Sequence, residues 1–306
     1  MSAQRVISLL PATTEIVCAL GFEERLVGRS HECDFPASVE RLPALTEPKI
    51  DLNAISRDIQ REVSGIVRNA LSIYRVDADR LRALSPDLIL TQSQCEVCAV
   101  SERDLEDALA DWMGTPPTVL SLSPERLTDV WDDVTRVAEA MDGRDRAARV
   151  TGELRERTAR IETRSAALIE RPRVACVEWI EPLMAAGNWV PELVEMAGGT
   201  NLFGEAGAHS PWMPMDELVE ADPDIVVIMP CGFDIDRASS ELGVLAAHPQ
   251  WSAIKAVRDG QVYLTDGMQY FSRPGPRLVE SLEILSEVIH PEEFDFGHEG
   301  SGWRRL

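Results

Sequence analysis

Four of the six cysteines in this 306-residue chain follow apolar runs that read as buried strands: Cys33, Cys95, Cys98 and Cys231. Cys95-Glu96-Val97-Cys98 has the spacing that lets two thiolates grip one ion or cluster from a tight turn. Cys33 and Cys231, brought from other strand ends, would complete a four-thiolate site for Zn²⁺ or an iron–sulfur cluster. The competing reading is that each thiol packs as a small buried hydrophobe. Cys18, on an apolar helix face, and Cys176, within a strand, read that way. His31 beside Cys33 is either a metal ligand with the thiolates or a hydrogen-bonded loop residue. His209, His248, His290 and His298 lack partner spacing and read as surface or structural.

Aromatic residues are scarce at 6%, yet Trp179, Trp189, Trp212, Phe233, Tyr270 and Phe271 fall in or near segments that end apolar runs. A flat, partly apolar ligand is well served by aromatic walls and a few polar donors. The alternative use of such residues is to cap a core. Phe35, Tyr74 and Gln92 join the candidate set, and Arg273 and Arg75 are placed to meet propionate-like or amide-like substituents. Enzymatic templates are missing: there is no Gly-x-Ser-x-Gly, Walker loop, His-Glu-x-x-His or dinucleotide glycine fingerprint.

These residues must be positioned by the elements around them. Asp79-Arg80-Leu81 leads through Ser85-Pro86-Asp87 into Leu88-Ile89-Leu90, and Asp216-Glu217-Leu218 leads through Asp222-Pro223-Asp224 into Ile225-Val226-Val227-Ile228. Both read as a helix, a Pro-Asp turn and a buried strand. Arg5-Val6-Ile7 and Arg173-Val174-Ala175 open the two halves alike. The expected fold is therefore α/β, with two Rossmann-like lobes built on parallel sheets. A first helix is expected to be capped near Thr13 and closed by Gly21, and another to start at Ser123-Pro124-Glu125. The charged stretch from Arg144 to about Leu168 would reach ~37 Å as one rigid helix joining the lobes. The expected divisions are 1–122 for the N-terminal lobe, 123–170 for the helical backbone, and 171–306 for the C-terminal lobe with its helix. Glu292 to Leu306 is expected to be a loosely packed tail. In open sheets of this kind ligands bind beyond the carboxyl ends of strands, which is where the candidate residues fall.

Asp and Glu total 52 against 30 Lys and Arg, giving a formal charge of −22. Such a surface repels a phosphate backbone, so no nucleic-acid partner is expected. No run approaches the ~18 apolar residues that span a bilayer. The N-terminal segment lacks the basic region and small-residue cleavage site of a leader, so the chain as written is expected in the cytoplasm, and outside it only if a leader was removed.

Arg5-Val6-Ile7-Ser8-Leu9-Leu10-Pro11-Ala12-Thr13-Thr14-Glu15, Leu26-Val27-Gly28-Arg29-Ser30 with Asp34-Phe35-Pro36, the two helix-Pro-Asp-strand units, and His248-Pro249-Gln250-Trp251 through Val262-Tyr263 form an ordered set over about residues 5 to 290. In that order they resemble the substrate-binding proteins of cobalamin and iron-chelate ABC importers, most of all the cobalamin-binding group. The resemblance implies the class III, helical-backbone fold. It implies a corrinoid or related metal chelate held between two lobes, an ABC importer as partner if the protein is exported, and no catalysis. It adds a third reading of His31, as axial ligand to a chelated cobalt. The chain departs from the exported members in its start, in a long insertion from Lys49 to Tyr74, and in its loop cysteines. The alternative is therefore a cytosolic metal or iron–sulfur protein on the same fold, acting as sensor or enzyme.

Overall fold

A computed structural model describes residues 3–68, 73–93, 102–110 and 112–306. They form a mixed α/β chain of two compact units. The first comprises the residues up to Ala54, then Asp58–Pro124 and Thr128–Glu153; the second comprises Ile55–Arg57, Glu125–Leu127 and Leu154–Leu306. In chain order the strands of the first half are β1 (Val6–Ser8), β2 (Leu26–Arg29), β3 (Thr46–Pro48), β4 (Tyr74–Val76), β5 (Leu88–Gln92) and β6 (Thr118–Leu122). Its helices are α1 (Pro11–Ala19), α2 (Ser56–Arg68), α3 (Ala78–Leu84), α4 (Glu102–Leu109) and α5 (Leu127–Ala140). A 23-residue helix, α6 (Arg144–Ala166), begins in the first unit and ends in the second, a run of ~35 Å.

β2, β1, β5 and β6 pair in that order, all parallel. β1 and β5 are buried along their whole length, which is why Val6-Ile7 and Leu88-Ile89-Leu90 read as continuous apolar runs rather than alternating ones. The stretch from Lys49 to Tyr74 is framed by an antiparallel ribbon of β3 and β4, and it carries α2.

The second sheet holds β7 (Arg173–Trp179), β8 (Met184–Ala185), β9 (Thr200–Asn201), β10 (Ile225–Ile228), β11 (Val262–Thr265) and β12 (Trp303–Arg305). Its helices are α7 (Val190–Met196), α8 (Met215–Ala221), α9 (Ile235–Ala246), α10 (Lys255–Arg258) and α11 (Leu278–Ile289). β11, β10 and β7 are adjacent and parallel, and β12 and β8 run antiparallel at the flanks.

The repeat seen in the sequence is built alike in both units. α3 ends on Ser85 and α8 on Asp222, both left-handed, each directly before a proline. The Asp that follows turns back to the neighbouring strand. Asp87 accepts the N–H of Gln4 (2.9 Å) and Arg5 (3.0 Å), and Asp224 accepts that of Arg173 (2.8 Å). Each therefore pins the start of the strand beside its own.

Three expectations need correction. α1 starts at Pro11 with Leu10 as its cap; Thr13 lies inside it, bonded to the Ser8 hydroxyl and the Leu10 carbonyl. α5 starts at Leu127 rather than at Ser123-Pro124, because the Glu192 carboxylate, and no local hydroxyl, accepts the Leu127 N–H. The C-terminal segment is not loose. Phe294 and Trp303 are buried, and β12 closes the sheet against β11.

Candidate ligand-binding loops

In the second unit the carboxyl ends of β7, β10 and β11 lie side by side, so the loops that follow share one edge of the sheet. The ladder continues past the strands: Met229 N–H reaches the Val177 carbonyl (2.8 Å) and Cys231 N–H that of Glu178 (3.0 Å). The turn after β11, Gly267–Phe271, is pressed onto the β10 loop. A Cβ on Gly267 would lie 2.2 Å from the Pro230 carbonyl oxygen, a position only glycine fits. Asp266 caps this turn through the Gln269 N–H (2.8 Å), and Met268 N–H donates to the Phe233 carbonyl (3.1 Å).

Most of the predicted aromatics gather on this edge. Trp179 and Phe233 pack with ring centres 5.3 Å apart, and the Trp179 indole donates to the Glu181 carbonyl (3.1 Å). The Trp189 indole, at the start of α7, donates to the Phe271 carbonyl (3.0 Å) and so ties that helix to the β11 loop. Tyr270 is half-buried, with the Arg277 guanidinium 5.5 Å from its ring centre. Arg273 is buried, and its charge opposes only weakly the burial that pushes the Asp266 carboxyl up. Trp179, Trp189, Phe233 and Phe271 are all buried, so they form the floor of this edge and leave little ring surface open. Trp212 differs: it is 54% exposed and lines an apolar groove of about 470 Å³ with Ile180, Pro182, Met213, Val244 and His248.

An acid that sequence reading passed over lies just below. Glu178 interrupts the otherwise apolar run Val174-Ala175-Cys176-Val177 before Trp179, and that interruption was the available signal. Its carboxylate accepts the Ser210 hydroxyl (2.9 Å), which in turn accepts the Gly187 N–H (3.1 Å). Burial pushes the Glu178 carboxyl up, only partly offset by Ser210 and Gly187. Asp266 is pushed up for the same reason, with Gln269 opposing.

In the first unit the loop after β2 turns its polar groups inward. Thr46 donates its hydroxyl hydrogen to Ser30 (3.0 Å), so it accepts from both the His31 N–H (3.0 Å) and His31 Nδ1 (2.7 Å). That leaves Nε2 as the bare lone pair, and among the described residues this buried nitrogen has no hydrogen-bond partner. Burial, then the Arg29 charge, lowers the His31 pKa and keeps the ring neutral. Tyr74 is buried 5.5 Å from that ring and donates to Glu32 (3.1 Å). Gln92 is buried at the end of β5, its Oε1 without a hydrogen-bond partner among the described residues, and Phe35 is exposed. Arg75 is not on this edge: it lies within β4, 3.0 Å from its cross-strand neighbour Glu47.

The four-thiolate expectation gains no support. Cys33 is enclosed, its sulfur 3.0 Å from the Thr14 hydroxyl. Cys231 is half-buried in the second unit, and Cys95 and Cys98 lie outside the described residues. Among the described residues no three His, Cys, Asp or Glu side chains come together in a way that could hold a metal ion. Cys18 and Cys176 have thiols pushed up to about 12, chiefly by burial, and are poor thiolates.

The chain is similar to an ABC transporter substrate-binding lipoprotein and to vitamin B12-binding and haem-binding proteins. It is 23% identical over 300 residues to an ABC transporter substrate-binding lipoprotein of Bacillus subtilis, covering 95% of this chain and 81% of the relative. It is 22% identical over 242 residues to the vitamin B12-binding protein of Yersinia pestis, covering 78% and 74%. Among solved structures, a periplasmic haem-binding protein from Pseudomonas aeruginosa superposes with a TM-score of 0.72 at 22% identity, covering 95% and 94% of the two chains. The periplasmic vitamin B12-binding protein of Vibrio cholerae gives 0.66 at 18%, covering 94% and 96%. These likenesses establish the shared two-lobed fold of class III binding proteins. The profile described as periplasmic binding protein matches residues 6–268, and the chain belongs to that family.

Proposed function

We propose that this protein is the substrate-binding component of an ABC importer and that its cargo is a corrinoid such as cobalamin. The observation that carries the reading is the strand-end edge of the second unit, where Trp179, Phe233, Trp189, Phe271, Tyr270 and Arg273 converge beside the exposed Trp212. A broad macrocycle fits an apolar floor with a few polar groups at its rim. His31, Phe35, Tyr74 and Gln92 are the candidate contacts of the first unit.

Two features favour a corrinoid over haem. The net charge of −22 repels the two propionates of haem, whereas the corrin periphery carries mostly neutral amides. The His31 imidazole is bonded to Thr46 with its second nitrogen buried, and the Tyr74 phenol donates to Glu32. A chelate that brings its own axial ligand suits these groups better than one that needs a protein ligand. The vitamin B12-binding relatives support the same choice, and the periplasmic and lipoprotein relatives favour a role outside the cytoplasm over the cytoplasmic reading.

Calorimetric titration with cyanocobalamin, haemin and a ferric siderophore tests the proposal. Stoichiometric 1:1 uptake of cyanocobalamin, with weaker haemin binding, is expected. Tight haemin or siderophore binding without cyanocobalamin binding would overturn the corrinoid reading.

A further inference from the structure

The chain after α11 folds back against the second sheet and is fastened there by side chains of α11. Glu287 accepts the backbone N–H of Phe296, Gly297 (2.8 Å) and His298 (3.3 Å) and the Trp303 indole N–H (2.6 Å). The segment then reaches β11 and the loop after it at three points. β12 pairs with β11, the Gly302 carbonyl accepts the Asp266 N–H (3.0 Å), and the His298 ring meets Tyr270 edge-on with centres 6.1 Å apart. Behind that contact, His298 Nε2 lies 3.0 Å from Glu283, whose other oxygen accepts from Arg157 (2.7 Å). Tyr270 is thus bracketed by Arg277 and by a histidine locked to a carboxylate.

We infer that His298 is a positioning residue for the ligand loop: clamped to Glu283, its ring sets the Tyr270 side chain, and its proton makes ligand affinity depend on pH. The inference rests on the strand-end reading of the ligand site. The charged groups facing His298 are Glu283, Glu287 and Glu280 of α11, with Arg157 of α6 behind Glu283. The Glu283 hydrogen bond, then the fields of Glu287, Glu283 and Glu280, raise the His298 pKa above its ordinary value of about 6.5 against the effect of burial. Burial would push the Glu283 carboxyl up, but hydrogen bonds from His298 and Arg157 outweigh it and hold it below the ordinary range. The pair therefore persists above the pH at which an ordinary histidine loses its proton, and is lost as pH rises through the raised His298 value.

The chain has three tyrosines, Tyr74, Tyr263 and Tyr270, so protein carrying ¹³C-labelled tyrosine gives three sets of ring signals, with Tyr270→Phe assigning the relevant one. In the wild type the Tyr270 signal is expected to follow a titration above pH 6.5. Cyanocobalamin affinity, measured in parallel, should fall roughly twofold to tenfold over the same window, the scale of losing one aromatic pair. His298→Gln keeps a donor to Glu283 but cannot titrate, and both profiles should be flat. His298→Ala should bind weakly at every pH. A Tyr270 signal that titrates identically in wild type and His298→Gln would overturn the inference, as would identical affinity profiles. If the signal follows His298 but cyanocobalamin does not bind at any pH, the positioning role stands and the corrinoid reading falls.

Discussion

Replacing Trp189 by phenylalanine isolates one bond in the floor of the candidate site. Trp189 is buried, and its indole N–H is the donor to the Phe271 carbonyl at 3.0 Å. Removing it strips a buried carbonyl of that partner, a loss of about 1–3 kcal/mol. The smaller ring adds about 1 kcal/mol for lost packing. The sum, about 2–4 kcal/mol, corresponds to a fall in Tm of roughly 5–10 °C for a unit of this size. Trp251→Phe is the matched control: Trp251 is also buried, but it lies between α9 and α10, towards the opposite end of the strands. It should cost only the packing term. Differential scanning calorimetry gives both values, and cyanocobalamin titration should show weaker binding for Trp189→Phe alone. Equal Tm losses in the two variants, with unchanged affinity in both, would refute the argument that this bond holds the β11 loop.

Gly267→Ala places a Cβ against the Pro230 carbonyl, so the β11 loop must move away from β10; both Tm and cyanocobalamin affinity should fall, read by the same two assays. Glu178 has a raised carboxyl pKa, so the folded state holds its proton longer than the unfolded chain, and its contribution to stability declines as pH rises from the ordinary glutamate range through the raised value. Glu178→Gln should flatten that part of the Tm–pH curve. For Asp224, burial opposes but the Lys255 and Arg173 N–H bonds dominate and lower the carboxyl, so its contribution is lost as pH falls; Asp224→Asn should remove that acid-side slope.

What could be read from the sequence was mostly local. Ser85-Pro86-Asp87 and Asp222-Pro223-Asp224 announce their turns because a helix ends at or before the residue preceding a proline, and the apolar runs beside them have only a doubly covered sheet to enter. The long α6 was legible because it holds no proline and a single glycine, Gly152, among strong helix formers. Surroundings assembled from distant residues were not legible. Cys33 looked available to a metal until Thr14, 19 positions earlier, was found against its sulfur. Arg75 looked free until the β3–β4 register set Glu47 opposite it. The last residues looked loose because their anchor, Glu287, lies in the preceding helix and takes up backbone N–H groups that no side-chain pattern reveals. The aromatics were expected to stand at strand ends as walls for a ligand; that most of their rings are buried as a floor, with Trp212 left exposed, depends on packing.

The central claim is that a chelate sits on the strand-end loops of the second unit. Hydrogen-exchange mass spectrometry with and without saturating cyanocobalamin tests it most directly, because bound ligand slows exchange of the backbone it orders. The account predicts new protection in peptides spanning 179–189, 229–237 and 266–273. Protection confined to other segments, or absent at saturation, would contradict it.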